Sequence, residues 1–325
     1  MPFPFNLYLW SALGAAITSA VSLPLWRAWC RRVGLIDAPG HRKIHDQPIP
    51  LAGGLAILTG LLIPLGAAIA VLNLDMLPAE LAGKLLHGFS RRAGQLATIL
   101  GGAAGMTFLG WLDDKHELRP ALKFAGQSLI AALVAAAGVR VTLFVSSPLF
   151  SYTVTILWIL AVTNALNFMD NMNGLCAGLG AMASLLFGLD AAGQSQYLVA
   201  ALSFLTFGAA LGFLPWNFPR ASAFLGDAGS HLLGYWLAVL AILPHFYSPK
   251  HPHVWAVFSP LLILAVPLGD LVWVVLLRWR LGKPFYLGDN NHLSHRLVRR
   301  GLSQVQAVIL IWALAAAVGS AAFVL

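Results

Sequence analysis

The chain has 325 residues, of which 59% are hydrophobic and only 10% are charged, and its mean hydropathy is +0.78. This composition excludes an ordinary water-soluble globular protein. The net charge of +8 could point to a nucleic-acid partner, but the basic residues are spread over many loops and form no single basic face. We therefore expect no nucleic acid among its partners.

Apolar stretches of roughly 20 residues recur along the chain, which is the length that an α-helix needs to cross a bilayer core of ~30 Å. A membrane barrel would instead show alternation over segments of about 10 residues. We predict an all-α polytopic membrane protein with about ten transmembrane helices, forming a single integral-membrane domain over residues 1–325. The predicted spans are 5–28, 51–73, 94–112, 120–139, 153–169, 174–189, 196–214, 230–245, 255–277 and 303–325.

The charges are distributed unevenly between the two predicted faces. Loops after the odd-numbered spans carry 15 of the 20 lysines and arginines, so this face is predicted to be cytoplasmic and both termini to lie outside. Nine of the 12 acidic residues fall on the same face, which the positive-inside rule does not explain. We interpret this excess of acids as an active site at the cytoplasmic face.

Residues 140–152 alternate β-branched and aromatic side chains around Ser146-Ser147-Pro148. Strand residues on both sides of a turn signal are typical of a hairpin. The sequence therefore predicts a small external β-hairpin here.

Near the cytoplasmic end of span 1, a loop contains Arg42, Lys43 and His45 between prolines, followed by Gly53-Gly54 at the start of span 2. The basic cluster can hold a phosphate or simply anchor the loop beside anionic headgroups. The paired glycines allow close approach of another backbone.

Two adjacent acids, Asp113 and Asp114, end the third span. Adjacent carboxylates repel each other, so a metal ion, a lysine or water must compensate them, and a solvated loop and a site both remain open. Pro120 suits the first turn of the next helix, which places Lys123 and Gln127 on one face close to the acids. Lys123 is therefore either a snorkelling anchor or the partner of a phosphate or carboxylate.

Span 5 ends in a stripe of polar side chains in which Asn164, Asn167 and Asn171 recur with helical spacing beside Asp170. Polar groups at membrane depth need partners. The stripe serves helix packing or a site, and four such groups together favour a site.

The loop after span 7 contains Gly226-Asp227-Ala-Gly229-Ser230 at the start of a helix. Such a segment can present a carboxylate together with free backbone N–H groups, which suits a metal-bound phosphate. An N-capping aspartate explains Asp227 equally well, but leaves the glycines unexplained.

The last polar segment contains His292, His295 and Arg296, preceded by Asp270 inside span 9. A His-x-x-His pair can bind zinc, but no further ligand with metalloprotease spacing accompanies it. With arginines nearby, phosphate binding is the favoured interpretation.

Taken together, these five segments resemble the polyprenyl-phosphate N-acetylhexosamine-1-phosphate transferase superfamily (glycosyltransferase family 4), related to MraY, in order and spacing over residues 34–301. The first loop resembles the WecA/TagO-like branch, Asp113-Asp114 with Lys123 and Gln127 resembles the aspartate-pair motif, and 224–230 resembles the Phe-Met-Gly-Asp-x-Gly-Ser loop. Two motifs depart from the pattern. Asp-Gly-x-Asp-Gly stands here as 170–174 with Asn171 and Asn173, and His-x-His-His as 292–295 with Ser294.

The resemblance implies an enzyme of the bacterial plasma membrane that transfers N-acetylhexosamine-1-phosphate from a UDP-sugar, by default UDP-GlcNAc, to polyprenyl phosphate. The products would be polyprenyl-diphospho-sugar and UMP, in the first membrane step of a cell-envelope polysaccharide such as lipopolysaccharide or teichoic acid. It also implies Mg²⁺, or Mn²⁺ in its place, and a homodimer.

By the same resemblance, Asp113, Asp114, Asp170, Asp227 and Lys123 are the expected catalytic residues. Asp227, with Asp113 and Asp114, would hold the metal. The expected substrate-binding residues are His45, Asn164, Asn167, Asn173, Phe224, His292, His295 and Arg296, with Phe224 stacked on uracil.

Two other functions remain open. A transporter or flippase would also carry an intramembrane acid such as Asp270, although such a protein would place its charges near the bilayer midplane. A catalytically inactive family member would explain Asn173 and Ser294.

Overall fold

The computed structural model describes residues 3–38, 47–74, 79–143, 145–244, 254–284, 286 and 289–324, with the side chains of 79–91 and 254 left aside. The first-loop residues Arg42, Lys43 and His45, predicted either to hold a phosphate or to anchor the loop beside anionic headgroups, lie outside the described residues.

The described chain is almost entirely helical, as the hydropathy pattern predicts. The helices are α1 (Phe5–Val33), α2 (Gly53–Asn73), α3 (Ala79–His116), α4 (Pro120–Ala136), α5 (Pro148–Met169), α6 (Leu175–Gly193), α7 (Tyr197–Asn217), α8 (Gly226–Leu240), α9 (Ser259–Ile263), α10 (Ala265–Arg280), α11 (Leu293–Arg299) and α12 (Gln304–Ser320). Short 3-10 segments, Val254–Phe258 and Ala321–Val324, precede α9 and follow α12. Two short strands, β1 (Ile36–Asp37) and β2 (Ile49–Pro50), pair antiparallel and hold the ends of the first loop together.

Each of the ten predicted spans coincides with a helix, which confirms the all-α polytopic membrane fold. By length and composition, seven helices of the described part can cross a membrane, or eight if the bent α9–α10 pair counts as one span. The estimate of about ten is higher because α4 has only 17 residues and α8 only 15.

The predicted span 255–277 is broken between α9 and α10, whose axes differ by 74°. Pro267 lies in the first turn of α10 and has no N–H to donate to the carbonyl of Ile263. The carbonyl of Ile263 therefore lacks this helical partner, next to Leu264, which separates α9 from α10.

The predicted external hairpin at 140–152 is wrong for the residues described there. Pro148 begins α5, and the Ser147 side chain accepts a hydrogen bond from the N–H of Phe150 at 3.4 Å. The Ser151 hydroxyl donates to the carbonyl of Val141 at 2.9 Å, which ties the preceding segment to the start of α5. Ser-Ser-Pro is here an N-cap followed by proline at the first helical position, and not a strand turn.

The centre of the bundle is α8, in which every residue from Ala228 to Leu240 is buried. It packs mainly against α3 and α5. A helix that is buried on all sides belongs to the core, whereas α1 exposes large apolar residues such as Trp10 and Val21, as a lipid-facing helix does. The amino terminus of α8 is therefore held rigidly by its neighbours.

Helices α1 and α7 approach closely through two glycines one turn apart. A Cβ atom at Gly208 would collide with the backbone carbonyl of Ala12, and one at Gly212 with that of Ala16. Small residues four apart let membrane helices pack backbone to backbone.

We expect Gly208→Ala to lower the free energy of unfolding by about 1–3 kcal/mol, because the added methyl meets backbone that cannot move aside. Thermal unfolding in detergent measures the effect. Gly66→Ala is the matched control, since a Cβ at Gly66 meets nothing within 4 Å. Equal stability of the two variants would contradict this account of the α1–α7 contact.

Candidate active site

Two carboxylates from other helices hold the amino terminus of α8. Asp114, near the end of α3, accepts hydrogen bonds from the backbone N–H groups of Asp227 at 2.8 Å and Ala228 at 3.0 Å. Asp170, just after α5, accepts from the N–H of Gly226. These N–H groups have no partner within a helix, and carboxylates are favourable at this end of the helix dipole.

Gly226 is required at this position for two reasons. Its φ of +72° lies in the left-handed region, and a Cβ atom there would stand 2.7 Å from an oxygen of Asp114. The alternative that Asp227 caps its own helix is wrong, because no side chain of that segment forms the cap. The carboxylate of Asp227 instead contacts groups outside its own helix.

Asp227 and Asp113 share one lysine. The Nζ atom of Lys123 lies 2.8 Å from Oδ2 of Asp227 and 2.6 Å from Oδ2 of Asp113. The Asn167 side chain donates to Oδ1 of Asp227 at 2.7 Å. Lys123 is therefore the carboxylate partner that its position in the sequence allowed, and not only a snorkelling anchor.

The cluster is strongly acidic. Asp113, Asp114, Asp170 and Asp227 face a single described lysine, Lys123. Burial, and then the charges of Asp227 and Asp114, raise the pKa of Asp170. Such an excess of negative charge favours binding of a further cation.

Among the described side chains, no three histidines, cysteines or acids form a metal-binding group by themselves. The donors present nevertheless fit Mg²⁺, since oxygens of Asp113 and Asp227 converge on one positively charged atom. Mg²⁺ commonly takes one or two carboxylates and completes its shell with water and substrate phosphates. Both oxygens of Asp114 accept hydrogen bonds from backbone N–H groups, so this residue holds the start of α8, and its role as a metal ligand stays a prediction.

A second polar group lies one turn further along α8 and was not recognised from sequence as part of the site. His231 is fully buried, and its Nε2 lies 3.3 Å from Nε2 of Gln127. The Gln127 amide in turn accepts a hydrogen bond from Asn164 at 2.8 Å. The spacing of His231 four residues after Asp227 was the available signal. Asn164, expected to bind substrate, belongs to this buried network.

A cavity of about 520 Å³ opens beside the cluster. Its walls include Asp37, Asp170, Asn173, Arg220, Phe224 and His295, drawn from four of the five predicted polar segments. This volume lies within the ~300–1,000 Å³ range of small-molecule sites. The structure thus brings Asn173, Phe224 and His295 to one cavity, as expected from the sequence.

Paired glycines at the start of α2 pack against the loop before α8, which contributes Phe224 to the cavity wall. The N–H groups of Gly53 and Gly54 donate to the carbonyls of Phe224 and Leu225 at 2.9 and 3.1 Å. A Cβ atom at Gly54 would collide with the backbone of Gly229. The predicted close approach at the start of α2 is confirmed, and α8 is the element approached.

Helix α11 forms another wall. The Ser294 hydroxyl donates to Oδ1 of Asn171 at 2.6 Å, which fixes α11 against the end of α5. Burial lowers the pKa of His295. The guanidinium of Arg296 instead lies over the ring of Trp273, 4.6 Å from its centroid. His292 bonds to Asp270 through Nδ1 at 2.7 Å, and no three histidines, cysteines or acids among the described side chains form a group that would hold zinc.

The site residues come from the ends of α3, α5, α7 and α10 and the starts of α4, α8 and α12. All of these ends meet at one face of the bundle. The chain just before α1 packs beside the start of α7, away from this face, since the ring centroids of Phe3 and Tyr197 are 4.9 Å apart.

Comparison with known proteins agrees with this geometry. A model of glycosyl transferase family 4 matches residues 96–245, which include the Asp113–Lys123–Asp227 cluster. A Bacillus subtilis (strain 168) protein described as a probable undecaprenyl-phosphate N-acetylglucosaminyl 1-phosphate transferase is 30% identical over 305 residues, covering 91% of this chain and 78% of that protein.

Two further relatives give similar matches. The decaprenyl-phosphate N-acetylglucosaminephosphotransferase of Mycobacterium leprae (strain TN) is 34% identical over 328 residues, covering 92% of this chain and 79% of that protein. The undecaprenyl-phosphate alpha-N-acetylglucosaminyl 1-phosphate transferase of Escherichia coli (strain K12) is 27% identical over 314 residues, covering 90% and 77%. The chain therefore belongs to glycosyl transferase family 4, among the membrane-bound sugar-phosphate transferases that these relatives represent.

Proposed function

We propose that the protein transfers N-acetylglucosamine-1-phosphate from UDP-GlcNAc to polyprenyl phosphate, with Mg²⁺, releasing UMP. The observation that carries this proposal is the cluster of Asp113, Lys123 and Asp227 beside a cavity of nucleotide size. The relatives' names, which specify undecaprenyl or decaprenyl phosphate and N-acetylglucosamine, support the choice of acceptor and sugar.

The reaction joins two anions. A phosphate oxygen of the lipid attacks the β-phosphorus of the nucleotide sugar, and the bond from that phosphorus to the oxygen bridging it to the α-phosphorus breaks. That oxygen leaves with UMP. A bound Mg²⁺ would offset the repulsion between the phosphates and stabilise the charge of the transition state.

The residues of this chain would then have separate roles in the reaction. Asp227 and Asp113 would hold the metal, and Lys123 would move from the carboxylates to a phosphate oxygen. Asn167 keeps Asp227 oriented through its 2.7 Å hydrogen bond. Phe224 and Asn173 in the cavity wall would contact the nucleotide, with uracil stacked on Phe224, and His295 would contact a phosphate.

An enzyme with this acceptor must work at the membrane surface. The multispan bundle holds the polyprenyl tail in lipid, while the site lies at one face of the bundle. The bias of 15 to 5 in lysine and arginine supports a cytoplasmic site and termini outside the cell. A homodimer stays a prediction.

We expect Asp227→Asn to reduce UMP release by at least about 100-fold, because the amide loses the charge that binds both Lys123 and the metal. UMP formed from UDP-GlcNAc and undecaprenyl phosphate by purified protein measures the effect. Asp190→Asn, at the opposite end of the bundle, is the matched acid-to-amide control. Wild-type activity in Asp227→Asn would refute the assignment.

Removing the lysine should make the stability of the protein depend more strongly on another cation at the cluster. We expect Lys123→Met to lower the free energy of unfolding by about 1–3 kcal/mol in EDTA, since the carboxylates lose their counter-ion. Mg²⁺ should restore a large part of this loss, seen as a larger Mg²⁺-dependent rise in Tm than in wild type. Lys115→Met is the control, because Lys115 is exposed and contacts only the Trp111 ring among described groups. Equal Mg²⁺ shifts in all three proteins would contradict the metal site.

The cavity predicts a separate effect on the donor. Phe224→Ala should raise KM for UDP-GlcNAc about tenfold, because stacking on a base contributes about 1–3 kcal/mol. The KM for undecaprenyl phosphate should change little. Phe124→Ala, on the exposed surface of α4, is the control. A rise confined to the acceptor KM would place the nucleotide elsewhere.

A further inference from the structure

The buried acid Asp270 is used neither by the carboxylate cluster nor by the cavity wall. It lies on a buried face of α10 formed with Val266, Val274 and Arg278, and only 5% of its surface is exposed. An ionised carboxylate buried among apolar side chains is costly unless it is paired and hydrogen-bonded. Its partners therefore indicate its role.

Both oxygens of Asp270 are occupied by the start of α11. Oδ1 accepts a hydrogen bond from the backbone N–H of Leu293 at 2.6 Å, and Oδ2 lies 2.7 Å from Nδ1 of His292. A carboxylate only accepts hydrogen bonds, so we assign a proton to Nδ1 of His292. This bond fixes the orientation of the ring and leaves Nε2 as the nitrogen that can meet a ligand.

The same segment is clamped a second time further along α10. The Nε atom of Arg278 donates to Asp289 at 2.9 Å, and Asp289 also accepts from the N–H of Asn291. The guanidinium of Arg278 lies over the ring of Phe168, which in turn contacts the edge of His292. The position of His292 is thus defined from two sides, and its pairing with Asp270 is not needed merely to attach the segment.

His292 is close to the cavity. It lies one turn before His295, which lines the cavity, and the two ring centroids are 6.4 Å apart. Between them in sequence, Ser294 bonds to Asn171, another residue of the cavity wall. The His292 ring therefore lies next to a ring that lines the cavity.

We propose that Asp270 is a positioning residue that makes His292 a phosphate-binding cation. Its carboxylate balances the charge of the imidazolium, so that Nε2–H donates to an anionic phosphate oxygen while Nδ1–H stays on Asp270. This inference rests on the proposed function for the source of the phosphate, which is either the lipid acceptor or the nucleotide sugar. The only covalent change is protonation of Nε2, for which the proton comes from solvent as the phosphate binds.

The first test uses the wild-type protein in detergent with ¹⁵N-labelled histidine. The His292 signals are assigned by their absence in His292→Gln, and spectra are compared with undecaprenyl phosphate alone and with UDP-GlcNAc alone. We expect both ring nitrogens to become protonated with one of the two ligands, which identifies the source of the phosphate. An unprotonated Nε2 with both ligands would overturn the proposal.

The second test separates positioning from simple packing. Asp270→Asn keeps one oxygen for the N–H of Leu293, but its amide N–H₂ donates to Nδ1 and transfers the imidazole proton to Nε2 in a neutral ring. We expect KM for the identified substrate to rise about tenfold with a smaller change in kcat, as loss of one charge-assisted hydrogen bond of ~1.5 kcal/mol or more predicts. Asp289→Asn, which loosens the neighbouring clamp, should change this KM less.

The double variant Asp270→Asn with His292→Gln completes the experiment. If Asp270 acts through His292, the double variant should be no worse than His292→Gln alone. Additive losses would show a purely structural role and overturn the proposal. Because the spectra with single ligands need no turnover, a protein that binds the phosphate through His292 but releases no UMP would refute the proposed reaction and leave this inference intact.

Discussion

The hydrogen bonds from the start of α8 to Asp114 are the constraint on which the rest of the site depends. They join α3 to the most buried helix of the bundle at the level where both meet the aqueous face. Because Asp114 takes the free N–H groups of α8, the neighbouring carboxylates are released from capping. Asp113 projects toward Lys123, and Asp227, held by Asn167, meets it from the other side. Two adjacent aspartates thus have separate tasks.

The charge balance of the cluster explains why a lysine is placed one turn inside an apolar helix. Four acids gathered in a partly buried space would repel one another without a cation. Lys123 supplies one positive charge, which stabilises the cluster but does not neutralise it. The remaining negative charge suits a divalent metal, and a metal brought together with phosphates adds ligands and anions at once. The divalent metal of the proposed reaction would offset part of the charge that remains.

The sequence predicted the helices and the clustering of polar loops well, because hydropathy and loop charge follow directly from the membrane environment. The sequence could not show which of Asp113 and Asp114 contacts α8 and which contacts Lys123. The side chains of neighbouring helical residues point in different directions, and only the position of α8 decides which of them meets its amino terminus. The same limit applies to Asn164 and Asn167, of which one supports Gln127 and the other Asp227. Ser146-Ser147-Pro148 was misread because serine and proline begin helices as well as turns.

The two departures from the family pattern fall outside the Asp113–Lys123–Asp227 cluster. The amide of Asn173, in the cavity wall, donates to the carbonyl of Pro219 at 3.3 Å. Ser294 is fully buried and donates a hydrogen bond to Asn171. The serine on α11 is smaller than the histidine of the family pattern, and Asn171 on the α5–α6 turn is larger than the glycine of that pattern. Each of these substituted side chains forms a hydrogen bond, as buried polar groups in a folded protein generally do. The substitutions therefore argue for altered contacts around the same chemistry, and against a scaffold that has lost it.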